Sequence, residues 1–336
     1  MTSLQLHCVM EAPAQGSILD RRTLNRTLLA RQLLLERVRM PVVDAIEHLV
    51  GMQSQVPNDP YVGLWSRLES FDPGELGRLM LDRAAVRMTL MRTTLHLVSA
   101  RDALALRPAL QGMIERRFAT GMAFGRNVAD LDPNEFLKLG AELLKEEPHA
   151  VSDLGKLLTE HFPGHDPTSL GYAVALRLPV VQVTPRGVWG MTLRPKVAPL
   201  ATWLGRPVPE TGPPDDAILR YLRAFGPATT ADITSWSWLT GIRTAVDRLR
   251  DKLSTYRDEA GRELFDVADG VFADPGAPAP SRLLPQFDNA LLSHKDRSRI
   301  TGGRSLNIDF GWKGSVLIDG FLSGAWRLRT KGKEAM

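Results

Sequence analysis

A chain of 336 residues with 43% apolar and 24% charged side chains has room for two or three globular domains and can bury real cores. Its net charge of +4 and pI near 9.3 permit a nucleic-acid surface without demanding one, so any basic patch has to be local. The only cysteine is Cys8, which excludes a disulfide framework and a cysteine-based metal site within one chain and suits a reducing cytoplasm; no apolar run approaches the length of a membrane span.

In chain order, residues 1–17 read as a mobile leader without the basic region and apolar core of a secretory signal. Leu24 to Arg37 carries Leu24, Leu28, Leu29, Leu33 and Leu35 with arginines between them, the pattern of an amphipathic helix. Pro41 opens a second helix with Val42, Val43 and Ile46 inward. Between it and the next comes Gly51-Met52-Gln53-Ser54-Gln55-Val56-Pro57-Asn58-Asp59-Pro60-Tyr61. Gly51 can end a helix, Pro57 pushes Val56 away from helical geometry, and Asn58-Asp59-Pro60 supplies a cap followed by proline at the first helical position. In an extended connector Gln53 and Gln55, two residues apart, project to the same side. A pair of amides can hold a water or a polar substrate edge but cannot act as a strong base; the plainer reading is that they tie down a loop. Asp59, the nearest carboxylate, reads as a helix cap.

Val86–Met91 and Thr93–Ser99 have the composition of strands, with Arg92, Thr94 and His96 alternating on one face. Helices followed by a β-ribbon return after Asp132-Pro133, where Val180–Thr184 and Val188–Leu193 flank the turn Pro185-Arg186-Gly187. They return again after the stiff connector Pro207–Pro214, where Thr255–Arg257 and Glu263–Val267 follow three helices. Val316–Gly320 and Phe321–Leu328 read as a last hairpin. The expected fold is mainly α with β-wings, an α+β protein of three tandem winged-helix units at 18–100, 101–206 and 207–274, with a small C-terminal β-rich region at 275–336.

Met52 to Arg67 (MQSQVPNDPYVGLWSR) resembles the catalytic segment of the bacterial winged-helix DNA glycosylases of the AlkZ and YcaQ type. The resemblance continues through Arg26–Arg37, Leu90–Ser99 and Leu284–Ile300, in order, and so covers nearly the whole chain. It is strongest to the AlkZ branch, which carries glutamine, any residue, glutamine, matched here by Gln53 and Gln55; the YcaQ branch has aspartate in the second place. Family members commonly continue past the last hairpin, so the C-terminal β-structure is expected to be shorter here.

The resemblance implies a monofunctional glycosylase excising bulky N7-alkylguanine adducts or unhooking interstrand crosslinks, in DNA repair and self-resistance to a genotoxic natural product. Gln53 and Gln55 would share the attacking water. Phe287-Asp288-Asn289 and Ser293–Arg299 resemble a signature close to the DNA cleft, and His294, Lys295, Arg297 and Arg299 suit phosphate contact, with a solvated charged face as the competitor. Arg92 and His96 are candidates for DNA contact; His96 could face a nucleic-acid groove or a pocket near the glutamines, with a surface or hydrogen-bonded strand histidine the commoner case. Trp236 and Trp238 could stack on bases, with helix packing the commoner role for at least one.

No Gly-x-x-x-x-Gly-Lys loop, no Gly-x-Ser-x-Gly elbow and no zinc-deaminase signature is present, and the histidines lack clustered partners, so no metal or cofactor is expected. The expected partner is double-stranded DNA carrying alkylpurine lesions, met by a monomer in the nucleoid-associated cytoplasm, with no membrane. Two other readings fit a winged-helix chain: a DNA-binding transcriptional regulator, and a non-catalytic damaged-DNA-binding protein.

Overall fold

A computed structural model describes residues 8–304 and 313–328, together with the paired short strands Thr330–Lys331 and Glu334–Ala335. Helices dominate and the sheets are small, in keeping with the expected α+β class. Contacts divide the chain into two compact units. One contains residues 1–71, 215–236 and 241–336, and the other residues 72–214 and 237–240. None of these boundaries falls at 100 or 206, where the tandem reading cut the chain. No helix among the described residues is long and apolar enough to cross a membrane.

The first unit is built on the helix Arg21–Arg31, whose N-cap Asp20 accepts from Thr23 N. It stops well short of Arg37 because the chain turns at Leu33, a left-handed residue with φ 56°. Of its arginines Arg21 and Arg22 are exposed, but Arg26 and Arg31 are not. Arg26 is fully buried and donates from Nε to Ala277 O at 2.8 Å, and Asn25 Nδ2 donates to Arg299 O and Gly320 O. Arg31 meets the buried Asp266 through two bonds of 2.8 and 2.7 Å. Long cationic side chains are tolerated inside because every such charge finds a carboxylate or carbonyl acceptor. Around this helix Leu29, Leu34, Leu284, Leu291, Ile300 and Leu317 form one apolar cluster.

The expected mobile leader is a structural part of this unit from Cys8 onward. Val9–Met10 pairs antiparallel with Phe272–Ala273, and Ile18–Leu19 pairs parallel with Arg257–Asp258. Residues 1–7 lie outside the described residues. The helices Pro214–Phe225, Thr230–Ser237 and Ile242–Leu249 precede the antiparallel ribbon Leu253–Asp258 with Glu263–Val267, the order expected of a winged helix. The expected last hairpin forms between Gly314–Ile318 and Phe321–Trp326, and Arg282–Leu284 joins its outer side as a third strand.

In the second unit Ala85–Thr89 lies between Leu95–Ser99 and Val180–Gln182, and Val197–Pro199 completes the order on the far side. The partner of Val180–Gln182 is therefore not Val188–Leu193. Positive φ at Gly187 and Gly190, with turn bonds from Val188 N to Pro185 O and from Met191 N to Val188 O, keeps that segment looped. Likewise Arg92 is not on a strand. Arg92 and Thr93 take φ 56° and 55°, so the chain turns through Met91–Thr93 and the alternation joining Arg92 to His96 is broken.

The helices Ala100–Gly121, Pro133–Glu146, Val151–His161 and Pro167–Arg177 pack over Phe118, Phe136, Leu154, Leu158 and Leu170. The last two approach backbone to backbone. A Cβ on Gly155 would stand 1.9 Å from Pro167 O, and one on Gly171 2.1 Å from Val151 O, so only glycine fits at the crossing.

Candidate active site

The glutamine connector is held by its backbone. The short strand Met52–Gln53 follows Gly51, whose φ of 83° ends the helical run, and Asn289 Nδ2 donates to Gly51 O at 2.6 Å. Gln53 is buried, at 7% exposure, whereas Gln55 lies at the surface. The same-side expectation holds only for an extended run through all three residues, and here the strand ends at Gln53 and the chain bends at Gln55. Gln53 thus belongs to a pocket wall and Gln55 to the solvent-exposed surface.

The pocket at Gln53 is about 10 Å³ in volume and is also lined by Asp59, Arg67, Asp288 and Asn289. Asp59 is the first residue of the helix Asp59–Arg67, with Pro60 behind it. Neither it nor Asn58 caps that helix, since no side chain there accepts a capping bond. Burial, reinforced by the Asp288 carboxylate, pushes its pKa up to about 7. At the other end of the helix Arg67 and Asp288, each 1% exposed at the side chain, form a bidentate pair of 2.9 and 2.8 Å. Arg67 also donates to Gly63 O, and Asp288 accepts from Ala290 N, which fixes both planes.

The basic run Ser293–Arg299 does not present four cations to one surface. His294 is 3% exposed, its Nδ1 is bonded to Ser293 Oγ, and burial holds its pKa well below the usual imidazole range. Arg299 is 6% exposed and donates to Pro227 O. Asp296 is taken by Arg262. Only Lys295 is exposed, with Arg297 half-buried. Neither His294 nor Arg299 can reach a phosphate, because both side chains are buried in the interior. Lys295 instead borders an open groove of about 700 Å³ on the winged helix, with Arg243, Arg250 and Arg262.

His96 is also corrected as a surface contact. It is 1% exposed, its Nδ1 is bonded to Thr94 O, and burial lowers its pKa to about 3, so it is a neutral interior imidazole. Arg92 is half-buried in its turn. Trp236 is 3% exposed and packs on Tyr221 and Phe225, whereas Trp238 is 38% exposed with the Arg117 guanidinium 4.9 Å above its ring. No three His, Cys, Asp or Glu side chains cluster as metal ligands among the described residues.

The residues that sequence reading missed are Asp59, taken for a cap, and the union of Arg67 with Asp288. The available signal was that Arg67 and Asp288 both lie inside segments that carry the family resemblance. Comparison with known proteins bears on the whole arrangement. The structure superposes on Streptomyces sahachiroi DNA glycosylase AlkZ with a TM-score of 0.69 at 20% identity, over 95% of this chain and 90% of that one, a likeness of fold. No curated protein matches the sequence. The model of the family described as DNA glycosylase AlkZ-like matches residues 46–336, which include the glutamine connector and every residue of its pocket, and the chain belongs to that family.

Proposed function

We propose that this DNA glycosylase excises bulky N7-alkylguanine adducts, with unhooking of interstrand crosslinks as the same chemistry on a tethered base, and so protects its host from a genotoxic natural product. The observation that carries this reading is Gln53, an uncharged amide buried in a pocket with Asp59, Arg67, Asp288 and Asn289 among mixed polar and apolar walls, with Gln55 two residues on at the surface. Alkylation at N7 makes the base cationic and a good leaving group. The C1′–N bond then breaks toward an oxocarbenium ion, and the protein has mainly to place water and stabilise charge, which amides can do. Gln53 and Gln55 are the proposed water-positioning pair.

The test is incubation with duplex DNA carrying N7-alkylguanine adducts of small and bulky size, followed by detection of free base and alkali-labile abasic sites. Release is expected; no release from any adduct overturns the reading and favours a DNA-binding role without catalysis.

A lyase would need an amine nucleophile. The earliest lysine in the chain is Lys138, far in sequence from the glutamine connector, and the lining of the Gln53 pocket contains no lysine. Water is the proposed nucleophile, so borohydride should trap no covalent protein–DNA complex while free base accumulates. A trapped band lost on substitution of a lysine would show the opposite.

DNA affinity is expected to depend on salt through the cations of the run that solvent reaches, the exposed Lys295 and the half-buried Arg297. Changing Lys295 and Arg297 together to alanine should reduce the log–log salt slope for undamaged duplex by about 1–2. Binding titrations at several ionic strengths check this, and an unchanged slope removes both residues from the DNA face.

A further inference from the structure

The pocket behind Gln53 contains a group that the glutamine motif does not account for. Asp59 Oδ2 is buried and has no hydrogen-bond partner among the described residues. Arg67 Nε is buried in the same condition, because the bidentate pair with Asp288 engages only the two terminal nitrogens. Both side chains line one cavity of about 10 Å³, which Gln53 lines as well. A polar cavity of roughly 10–15 Å³ is the room that one water needs. The two orphaned atoms are complementary across such a water, since Arg67 Nε–H donates and Asp59 Oδ2 accepts.

We propose that Asp59 is the terminal proton acceptor of base excision, joined to the attacking water by one water held between Asp59, Arg67 and Gln53. This rests on the glycosylase reading. In the step, the oxygen of the attacking water forms the bond to C1′ as the C1′–N bond breaks. The electron pair of that bond leaves with the base and cancels the positive charge that alkylation had placed on it. The proton lost by the attacking water passes to the held water, which hands one of its own to the Asp59 carboxylate. A cation and an anion become two neutral species, and no further reactant is required.

The surroundings suit this role. A carboxylate near its ordinary pKa is a weak acceptor, whereas one raised to about 7 by burial and by Asp288 is matched to neutral pH. Of the charged groups that line the cavity, Arg67 is spent on Asp288 and so does little to hold Asp59 ionised. Asn289 and Gln53 are uncharged, and Leu49, at the end of the helix Val42–His48, is apolar. His48 itself bonds Arg31 O, and burial lowers its pKa, which keeps it neutral where Asp59 titrates.

The experiment measures single-turnover base release from an N7-alkylguanine duplex between about pH 5 and pH 9, for the wild type and Asp59→Asn, which is close to isosteric. The wild-type rate is expected to rise tenfold per pH unit and level off near pH 7. The Asp59→Asn rate should be flat with pH and about 10²-fold lower on the plateau. Thermal unfolding of both proteins over the same range gives a readout independent of turnover. A carboxyl whose pKa is raised by folding contributes stability that is full below its ordinary pKa and lost as pH rises through the folded one. The melting temperature of the wild type should therefore fall relative to Asp59→Asn as pH rises from 5 toward 7 and level off above it.

If Asp59→Asn keeps the wild-type rate profile, or if the melting difference does not change with pH, Asp59 is not the acceptor. If the wild type releases no base from any adduct, the glycosylase reading falls and the proposal falls with it. Release by the wild type with only the Asp59 outcomes failing leaves that reading standing.

Discussion

Asp288→Ala should lower the folding free energy of the first unit by about 3–5 kcal/mol, the usual cost of stripping one partner from a buried ion pair. Arg67 and Asp288 are each 1% exposed, so neither can turn to water when the other is lost. The same carboxylate also accepts from Ala290 N, where the chain enters the short helix Asn289–Leu292, so that turn loosens as well. Denaturant unfolding followed through the buried Trp236, which belongs to the same unit, reports the loss. The double change Arg67→Met with Asp288→Leu should cost less than either Arg67→Met or Asp288→Ala alone, because no charge is then left buried. A double variant as unstable as the sum of the single ones would mean that the two side chains act separately.

Gln55→Ala is expected to reduce the single-turnover rate of base release by about 10²-fold while the affinity for the same DNA changes by less than about twofold. An amide that orients water contributes in the transition state, so its loss appears in rate rather than in binding. Gln55 is the cleaner test because it lies at the surface and its truncation opens no hole. Gln53 is 7% exposed against Asp59 and Arg67, so Gln53→Ala removes buried volume and should lower stability as well as rate. Equal losses of affinity and rate in Gln55→Ala would assign it to holding the loop.

Local signals carried much of the fold. Asp132 and Asp166 announce helices through the capping bonds they make, and β-branched density marks Ala85–Thr89 and Leu95–Ser99. Failures came where tertiary partners override local pattern. Arg26 and Arg31 look like the wet side of an amphipathic helix, but Asp319 and Asp266, more than 230 residues away, draw them inside. His96 could be given a strand face from sequence only by assuming that the strand began at Arg92, and the turn at Met91–Thr93 removes that premise. In the site, the exit from the helix at Gly51 into an extended Gln53 was legible, but the bend that parts Gln55 from it was not, because Pro57 limits only Val56. The role of Asp59 was hidden, because an aspartate before proline has the same local appearance whether its carboxyl caps a helix or faces a cavity.

The union of Arg67 with Asp288 spans 221 residues of chain, and the compact unit around it is assembled from three separate stretches. On the ribosome the glutamine connector therefore emerges long before the segment that walls its pocket. Closing so large a loop makes the reaction centre a late event in folding, set by non-local contacts rather than by the helices that appear early. A nascent or C-terminally clipped chain that still displays Gln53 and Gln55 would lack Asp288 and Asn289, and would be chemically silent. A chain ending before Asp288 is therefore expected to release no base, because two walls of the Gln53 pocket would be missing.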